Sequence, residues 1–124
     1  MKTVLAFESD EHDYQKILRG LALLLDPDAN LICFHKIEHG MLWVDFAEII
    51  VIGTGFTDSP HVILDMLKGP RRKKPNAKYI IFATHKLNQA ALGVQTIVRK
   101  PSLEALAKAI NNELALLPAK GEGT

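Results

Sequence analysis

The stretch "IIVIGTGFTDSP", residues 49–60, decides the fold. Its first four residues are all β-branched, and they run directly into a Gly-Thr-Gly turn at residues 53–55. A short, continuous apolar run that ends in turn residues is typical of a strand buried on both faces of a parallel sheet. Ser59 is a good helix N-cap and Pro60 suits the first helical position. The pattern therefore predicts a central strand at residues 48–53, a glycine loop and then a helix.

The same alternation of strand and helix patterns continues through the rest of the chain. Four further apolar runs predict strands at residues 3–7, 30–34, 78–84 and 94–99. Helices fill the intervals, although the interval between the last two strands has room for at most two helical turns. Alternating strands and helices pair the strands in parallel through right-handed crossovers. The predicted fold is a three-layer α/β/α sandwich, with a five-stranded parallel sheet of flavodoxin-like order 2-1-3-4-5 and a short fourth helix.

Three of the helices show an apolar face and recognisable ends. The first is predicted to begin at Ser9 or Asp10, the helix after the central strand to stop at Gly69-Pro70, and the last to begin at Ser102. Spacings of three and four residues define the faces that we expect to be buried. These faces consist of Tyr14, Ile17, Leu18, Leu21, Leu24 and Leu25, then Val62, Ile63, Met66 and Leu67, and finally Leu103, Leu106, Ala107, Ile110, Leu114 and Leu117.

The composition is that of one small globular domain. The 124 residues are 48% hydrophobic and 23% charged, and the formal net charge is +1. We expect a domain over residues 1–118 and a disordered tail over residues 119–124. The near-neutral charge argues against a dedicated nucleic-acid binder, and no apolar run approaches the roughly 20 residues of a membrane span. The single cysteine, Cys33, excludes an internal disulfide, so we expect a cytoplasmic protein.

Polar residues gather where the strands are predicted to end. In a sheet of this order, sites form beyond the carboxyl ends of the strands. The residues predicted to lie there are Glu8, Ser9 and Asp10, then Gly53, Thr54 and Gly55, then Thr84 and His85, and finally Lys100. The glycine loop has neither the third glycine of a dinucleotide fingerprint nor the lysine of a phosphate loop. A tight turn is therefore favoured over a phosphate cradle.

Two longer stretches connect this edge of the sheet to a known family. They are "TVLAFESDEHDYQKIL", residues 3–18, and "ALGVQTIVRKPSLEALAKAI", residues 91–110. With them, the chain resembles the receiver domain of two-component response regulators over nearly its whole length. The resemblance implies that Lys100 matches the receiver lysine, that Thr84 matches its switch threonine or serine, and that Glu8-Ser9 matches its Mg²⁺-binding acidic pair.

The departures from the receiver pattern bear directly on function. Gly53 stands where a receiver has the aspartate that accepts phosphate, and Ser9 stands where it has a second acidic residue. The resemblance therefore implies a degenerate receiver, a pseudo-receiver, in which no acyl phosphate forms. Glu8 and Asp10 would hold Mg²⁺ only weakly without the missing oxygen ligand, and we expect no cofactor. Without phosphate, Lys100 is predicted to pair with Glu8 or Asp10.

The implied function is phosphorylation-independent protein–protein interaction in bacterial signal transduction, without enzymatic activity. The loop at residues 53–59 and the segment at residues 84–93 are shorter than in receivers, which also argues against a phosphorylation-driven switch. The expected partner is a signalling protein, and a homodimer is left open. The alternative is a small-ligand or anion sensor that uses the vacated cleft near Gly53, Thr84 and Lys100. A flavodoxin-like enzyme fits least, because no nucleophile with its base is evident.

A basic run, "KGPRRKKP" at residues 68–75, follows the helix after the central strand. We interpret it as one loop whose charges are solvated. The alternative is a surface for an acidic partner or an anion, formed by Arg71, Arg72, Lys73 and Lys74. No aromatic residue is interleaved with these cations, which argues against base stacking and nucleic-acid binding.

Two more clusters each admit two interpretations. His35 and His39, with Cys33 nearby, have a spacing that can bind a metal on a helix, but ordinary strand-end and loop positions fit the histidines better. A core position fits the cysteine. Four apolar residues between the second and third strands are predicted to lie in the core, with a partner-binding patch as the alternative. They are Met41, Leu42, Trp43 and Phe46.

Overall fold

A parallel sheet forms the middle layer of the computed structural model, which describes residues 2–55 and 59–117. Its strands are β1 (Lys2–Glu8), β2 (Ala29–Phe34), β3 (Ile49–Gly53), β4 (Lys78–Ala83) and β5 (Thr96–Arg99). They pair in the order β2-β1-β3-β4-β5, and each neighbouring pair is parallel. The predicted strand order and the central position of β3 are confirmed.

Helices connect the strands and cover both faces of the sheet. They are α1 (Glu11–Lys16), α2 (Ala22–Leu24), α3 (Ile37–Gly40), α4 (Pro60–Lys73), α5 (Gln89–Leu92) and α6 (Leu103–Leu116). A π-helical turn, Ile17–Leu21, joins α1 to α2, and a 3₁₀ helix, Met41–Phe46, continues α3. The helix between β4 and β5, labelled α5 here, is a single turn. The prediction of a short helix in this interval, the fourth helix of the predicted sandwich, is confirmed.

The sheet separates two apolar cores, because successive residues of a strand face opposite sides. In β1, Val4 and Ala6 belong to the core beneath the π turn and α6, whereas Leu5 and Phe7 belong to the core beneath α3 and α4. Every residue of β3 is buried, as expected for the central strand of a sheet covered on both faces.

The first helical segment buries a narrower face than predicted. Ile17, Leu21 and Leu25 are buried, but Leu18 is 45% exposed and Leu24 is 41% exposed. The π turn accounts for the difference. Its wider turn stacks residues that are four positions apart and directs the residues between them to solvent.

The helix α4 runs past its predicted stop at Gly69-Pro70 and ends at Lys73. Pro70 is buried, and a 2.7 Å hydrogen bond from the backbone N–H of Lys74 to the Pro70 carbonyl closes the turn that follows it. Burial of the ring and this bond offset the backbone bond that proline cannot donate. The predicted buried face of α4 is wrong at Val62, which is 45% exposed.

The segment before β3 is less buried than predicted. Leu42, Trp43 and Phe46 are 79%, 43% and 63% exposed, so a core position is wrong for all three, while Met41 is half-buried. A 3₁₀ helix repeats every three residues and so presents one narrow edge to the sheet, here through Val44.

Some predictions concern residues outside the described part of the chain. They include the tail at residues 119–124 and the middle of the predicted short loop, residues 56–58. Among the described residues, no helix is long and apolar enough to cross a membrane.

Candidate functional site

Glu8 and Gly53 lie side by side at the carboxyl ends of β1 and β3. They are register partners in the parallel ladder, and the Glu8 side chain is 1% exposed. A Cβ atom built on Gly53 would collide with the Glu8 carboxylate. The carboxylate therefore fills the space that any side chain at position 53 would need, so a larger residue there would have to displace it.

Lys100 closes the site from the end of β5. Its backbone N–H donates to the carbonyl of Ala83 at 2.8 Å, which ties it to the end of β4. Its Nζ lies 2.7 Å from Oε1 of Glu8 and 2.8 Å from Oδ2 of Asp13. The side chain of Lys100 is 4% exposed and that of Asp13 is 18% exposed. Glu8, Asp13 and Lys100 thus form a largely buried group of charges, which we call the ion cluster.

Asp10 supports the ion cluster from the start of α1. Its Oδ2 accepts a hydrogen bond from the Asp13 N–H at 2.9 Å, which caps the helix as predicted. Its own N–H donates to Oε2 of Glu8 at 3.0 Å. Of the two predicted partners of Lys100, the structure shows Glu8, and Asp13 takes the place of Asp10.

Asp13 is the site residue that sequence reasoning missed. Side chains of a helix point back toward its N-terminus. An acidic residue three positions after the N-cap Asp10 can therefore reach the strand ends. The signal was present in the acidic cluster of residues 8–13, but the spacing by itself does not say which carboxylate caps the helix and which meets Lys100.

Burial sets the electrostatics of the ion cluster. Desolvation raises the pKa of the Glu8 carboxyl. The hydrogen bond and the charge of Lys100 and the N–H of Asp10 oppose this rise, while the charge of Asp13 reinforces it, and the net direction is upward. With both carboxylates ionised, one negative charge remains after Lys100 is neutralised. The ion cluster therefore does not attract an anion.

The residues of this site do not fit the Mg²⁺ ion of receiver domains. Gly53 offers no side-chain oxygen, and the ammonium of Lys100 contacts both carboxylates that would otherwise face a cation. Within residues 2–55 and 59–117, no three His, Cys, Asp or Glu side chains are grouped so that they could hold a metal ion. A divalent cation would have to displace the lysine.

The other predicted site residues lie beside the ion cluster. Ser9 is exposed, and its Oγ would lie 2.7 Å from a Cβ atom on Gly55, whose φ of +63° also favours glycine. Thr84 is exposed, and its carbonyl accepts a hydrogen bond from Nε of Arg99 at 3.1 Å. Thr54 is buried, and its Oγ1 has no hydrogen-bond partner among the described residues.

The cavity at Gly53 does not include the other two residues of the predicted cleft, Thr84 and Lys100. A cavity of about 190 Å³ reaches Gly53 from the side of α3 and is also lined by Ser9 and His35. Neither Thr84 nor Lys100 lines it. Glu8 fills the space beside Gly53 instead.

Cys33 of β2 and His35, which follows that strand, serve local contacts, while His39 is exposed on α3. Nε2 of His35 lies 3.2 Å from Oε2 of Glu11, and its ring meets the ring of Tyr14 edge-on. Cys33 packs against the core as predicted, and burial raises the pKa of its thiol to about 11. At that pKa the thiol is a poor nucleophile.

Residues 68–73 of the basic run lie on the last turns of α4, so its interpretation as one loop is wrong. Three of its side chains donate to backbone carbonyls of neighbouring segments, at distances of 2.6 to 3.0 Å. The bonds run from Arg71 to Leu92 and Gly93, from Lys73 to Met41, and from Lys74 to Asp45. They anchor the end of α4 to α5 and to the 3₁₀ helix. Lys68 and Arg72 are exposed.

No protein-family model and no curated protein match the chain, but solved structures match its fold. A protein of Burkholderia pseudomallei named as pilus assembly-related has a TM-score of 0.73 at 17% identity, over 95% of this chain and 92% of that one. A protein of Burkholderia thailandensis named for pilus assembly has a TM-score of 0.70 at 16% identity, over 93% and 99%. A CheY-like receiver domain of Methanospirillum hungatei has a TM-score of 0.68 at 14% identity, over 94% and 95%. Identities this low show the fold alone: the chain has the CheY-like fold of response regulator receiver domains.

Proposed function

We propose that this chain is a pseudo-receiver, a module that acts in bacterial signal transduction by binding a protein partner without being phosphorylated. One observation carries the proposal. The Glu8 carboxylate occupies the place of a side chain on residue 53, and its Oε1 lies 2.7 Å from Nζ of Lys100. The lysine that the receiver resemblance assigns to a phosphoryl group is thus paired with a carboxylate of the chain itself.

Phosphoryl transfer requires a free nucleophile and a set of oxygen ligands for a metal ion, and the described site offers neither. Gly53 has no nucleophile. Glu8 does not replace the missing aspartate, because its carboxylate is 1% exposed and ion-paired, so a phosphate donor cannot approach it in line. Since the described site offers no chemistry of its own, we infer that the protein is not an enzyme.

A signalling domain that is neither phosphorylated nor catalytic transmits a signal through its affinity for another protein. The exposed Leu42, Trp43 and Phe46 supply apolar surface of the kind that marks interaction sites. A small-anion sensor is less well supported, because an anion would have to displace Glu8 from Lys100 and would then meet the charge of Asp13. We place the protein in the cytoplasm, where a module of this kind meets its signalling partners.

The test is a ¹H–¹⁵N correlation spectrum of the protein with and without Mg²⁺ and beryllofluoride, an analogue of the phosphoryl group. We expect superimposable spectra, because the space and the charge that the analogue requires are taken by Glu8. A receiver domain with its acceptor aspartate is the positive control. Saturable, Mg²⁺-dependent shifts around Gly53 and Lys100 would contradict the proposal.

The same spectra recorded with phosphate alone test the anion sensor. Shifts that disappear in Lys100→Ala would support that alternative instead.

Two structures of the same fold carry names that relate them to pilus assembly. We therefore propose pilus assembly as the first process in which to look for the partner. Deletion of the gene in its native bacterium is expected to change the number of pili. Unchanged piliation would direct the search to other signalling processes.

A further inference from the structure

One face of the molecule combines an apolar groove with protruding apolar side chains. The groove lies between α3 and α4, has a volume of about 460 Å³, and adjoins the cavity at Gly53 through shared walls at Ile37 and Met66. Val62, Gly69 and Pro70 line its α4 side. The protruding residues are Leu42, Trp43 and Phe46 of the 3₁₀ helix. Together, the groove and these three residues form what we call the α3–α4 face.

The protruding residues lie beside the C-terminal end of α4, whereas the groove continues along α4 to its N-terminal half. Nζ of Lys73 donates to the carbonyl of Met41 at 2.8 Å, and Nζ of Lys74 donates to that of Asp45 at 3.0 Å. These bonds hold the 3₁₀ helix beside the C-terminal end of α4. The groove extends along the helix to Val62, near its N-terminal end.

We propose that a second copy of this chain covers the α3–α4 face, in a twofold dimer whose α4 helices are antiparallel. A twofold axis through the middle of α4 brings the C-terminal end of one helix beside the N-terminal half of the other. Leu42 and Trp43 of each copy then lie against Val62 and Met66 of the other copy. The α3–α4 face is therefore complementary to itself. The protruding residues of each copy fit the groove of the other copy.

One pair of exposed charges on α4 favours the same arrangement. Asp65 lies in the N-terminal half of the helix, whereas Arg72 lies in the C-terminal half. Asp65 and Arg72 are seven residues apart, which is close to two full turns, so they share one side of the helix. Antiparallel pairing sets Asp65 of each copy opposite Arg72 of the other, while parallel pairing would set like charges together.

The size of the face indicates a weak dimer. A standard interface uses roughly 20–30 residues of each partner, and the 3₁₀ helix and one side of α4 supply fewer. We expect an association in the micromolar range, which depends on protein concentration. The inference does not rest on the missing phosphate acceptor, so failure of one proposal leaves the other standing.

Sedimentation equilibrium from low-micromolar to near-millimolar protein tests the dimer. We expect the apparent mass to rise from that of one chain toward that of two. Trp43 is the only tryptophan, and its emission is expected to shift to the blue with the same midpoint. Leu42→Lys is expected to weaken association at least tenfold. The matched control is Leu23→Lys, since Leu23 is 85% exposed on α2, across the sheet, and its replacement is expected to change nothing.

A charge exchange tests the antiparallel arrangement. Asp65→Lys and Arg72→Glu are each expected to weaken the dimer, because each sets like charges opposite one another. The double variant is expected to recover the association of the unaltered protein. A chain that stays monomeric at every concentration, a dimer that Leu42→Lys leaves intact, or a double variant no stronger than the single ones would overturn the proposal.

Discussion

Lys100 and Lys73 are both lysines paired with an aspartate, but their surroundings differ. Nζ of Lys100 lies within 2.8 Å of two carboxylates, and its side chain is 4% exposed. Nζ of Lys73 lies 3.5 Å from Oδ2 of Asp45, with side chains 31% and 55% exposed. Water can replace the partner of Lys73 but not those of Lys100. The first contact therefore shapes the site, whereas the second only anchors the end of a helix.

The largest effect is expected from Lys100→Met, which keeps the length of the side chain and removes its charge. Glu8 and Asp13 would remain buried without a counter-charge, so the free energy of unfolding should fall by about 3–5 kcal/mol. Urea titration at neutral pH measures this loss. In a Glu8→Gln background the loss caused by Lys100→Met should be smaller, because only one unpaired carboxylate, that of Asp13, then remains buried. A loss below about 1 kcal/mol would show that Lys100 behaves as a surface lysine.

The raised pKa of Glu8 predicts a pH dependence that Glu8→Gln removes. In the folded protein this carboxyl holds its proton to higher pH than in the unfolded chain, whose ordinary pKa is 4.5. The contribution of Glu8 to stability should therefore fall as pH rises from that value through the folded pKa. Below the pKa of the unfolded chain, Glu8 is protonated in both the folded and the unfolded state, so its contribution is constant. Urea titrations of both proteins across this pH range should show that the free energy of unfolding of Glu8→Gln rises relative to that of the unaltered protein as pH rises. A difference that does not change with pH would contradict the raised pKa.

Asp10→Ala separates capping from ion pairing. The side chain of Asp10 caps α1, and loss of a cap typically lowers the free energy of unfolding by about 1 kcal/mol. Ser102→Ala, which removes the cap of α6, is the matched control and should cause a similar loss. If Asp10→Ala were instead as damaging as Lys100→Met, Asp10 would belong to the ion cluster.

Lys73→Met should have the smallest effect. The exposed ion pair contributes between about 0 and 1 kcal/mol, and water can replace the exposed hydrogen bond from Nζ of Lys73 to the Met41 carbonyl, so the midpoint of urea unfolding should move little. Raising the salt concentration should reduce even this difference, because surface charges are screened. A loss as large as that of Lys100→Met would remove the contrast between the two lysines.

The sequence predicted those parts of the molecule that depend on local pattern. The apolar run at residues 49–52 defined the central strand, and the strand order then placed Glu8, Gly53 and Lys100 at one edge. What it did not predict depends on contacts between distant segments. Pro70 stays inside α4 because its ring is buried, and Trp43 lies outside the core because a 3₁₀ helix turns it to solvent.

The ion cluster shows the same limit at the level of one side chain. The acidic cluster of residues 8–13 was evident as a set, but the role of each carboxylate depends on the direction in which α1 leaves the sheet. Glu8 reaches over Gly53, Asp10 caps the helix, and Asp13 points back to Lys100. The glycine at position 53 was evident from the sequence, whereas the carboxylate that fills the space beside it was not.

The central claim is that Glu8 occupies the place of a side chain on residue 53, and Gly53→Ala tests it most directly. Urea unfolding is compared for the unaltered protein, Gly53→Ala, Glu8→Ala and the double variant. In the presence of Glu8, the added methyl group should lower the free energy of unfolding by about 1–3 kcal/mol, as overpacking does. In the Glu8→Ala background the same methyl group should cause little or no loss, so the two substitutions should be strongly non-additive. Equal losses in both backgrounds would contradict the claim, because the methyl group would then meet something other than the Glu8 carboxylate.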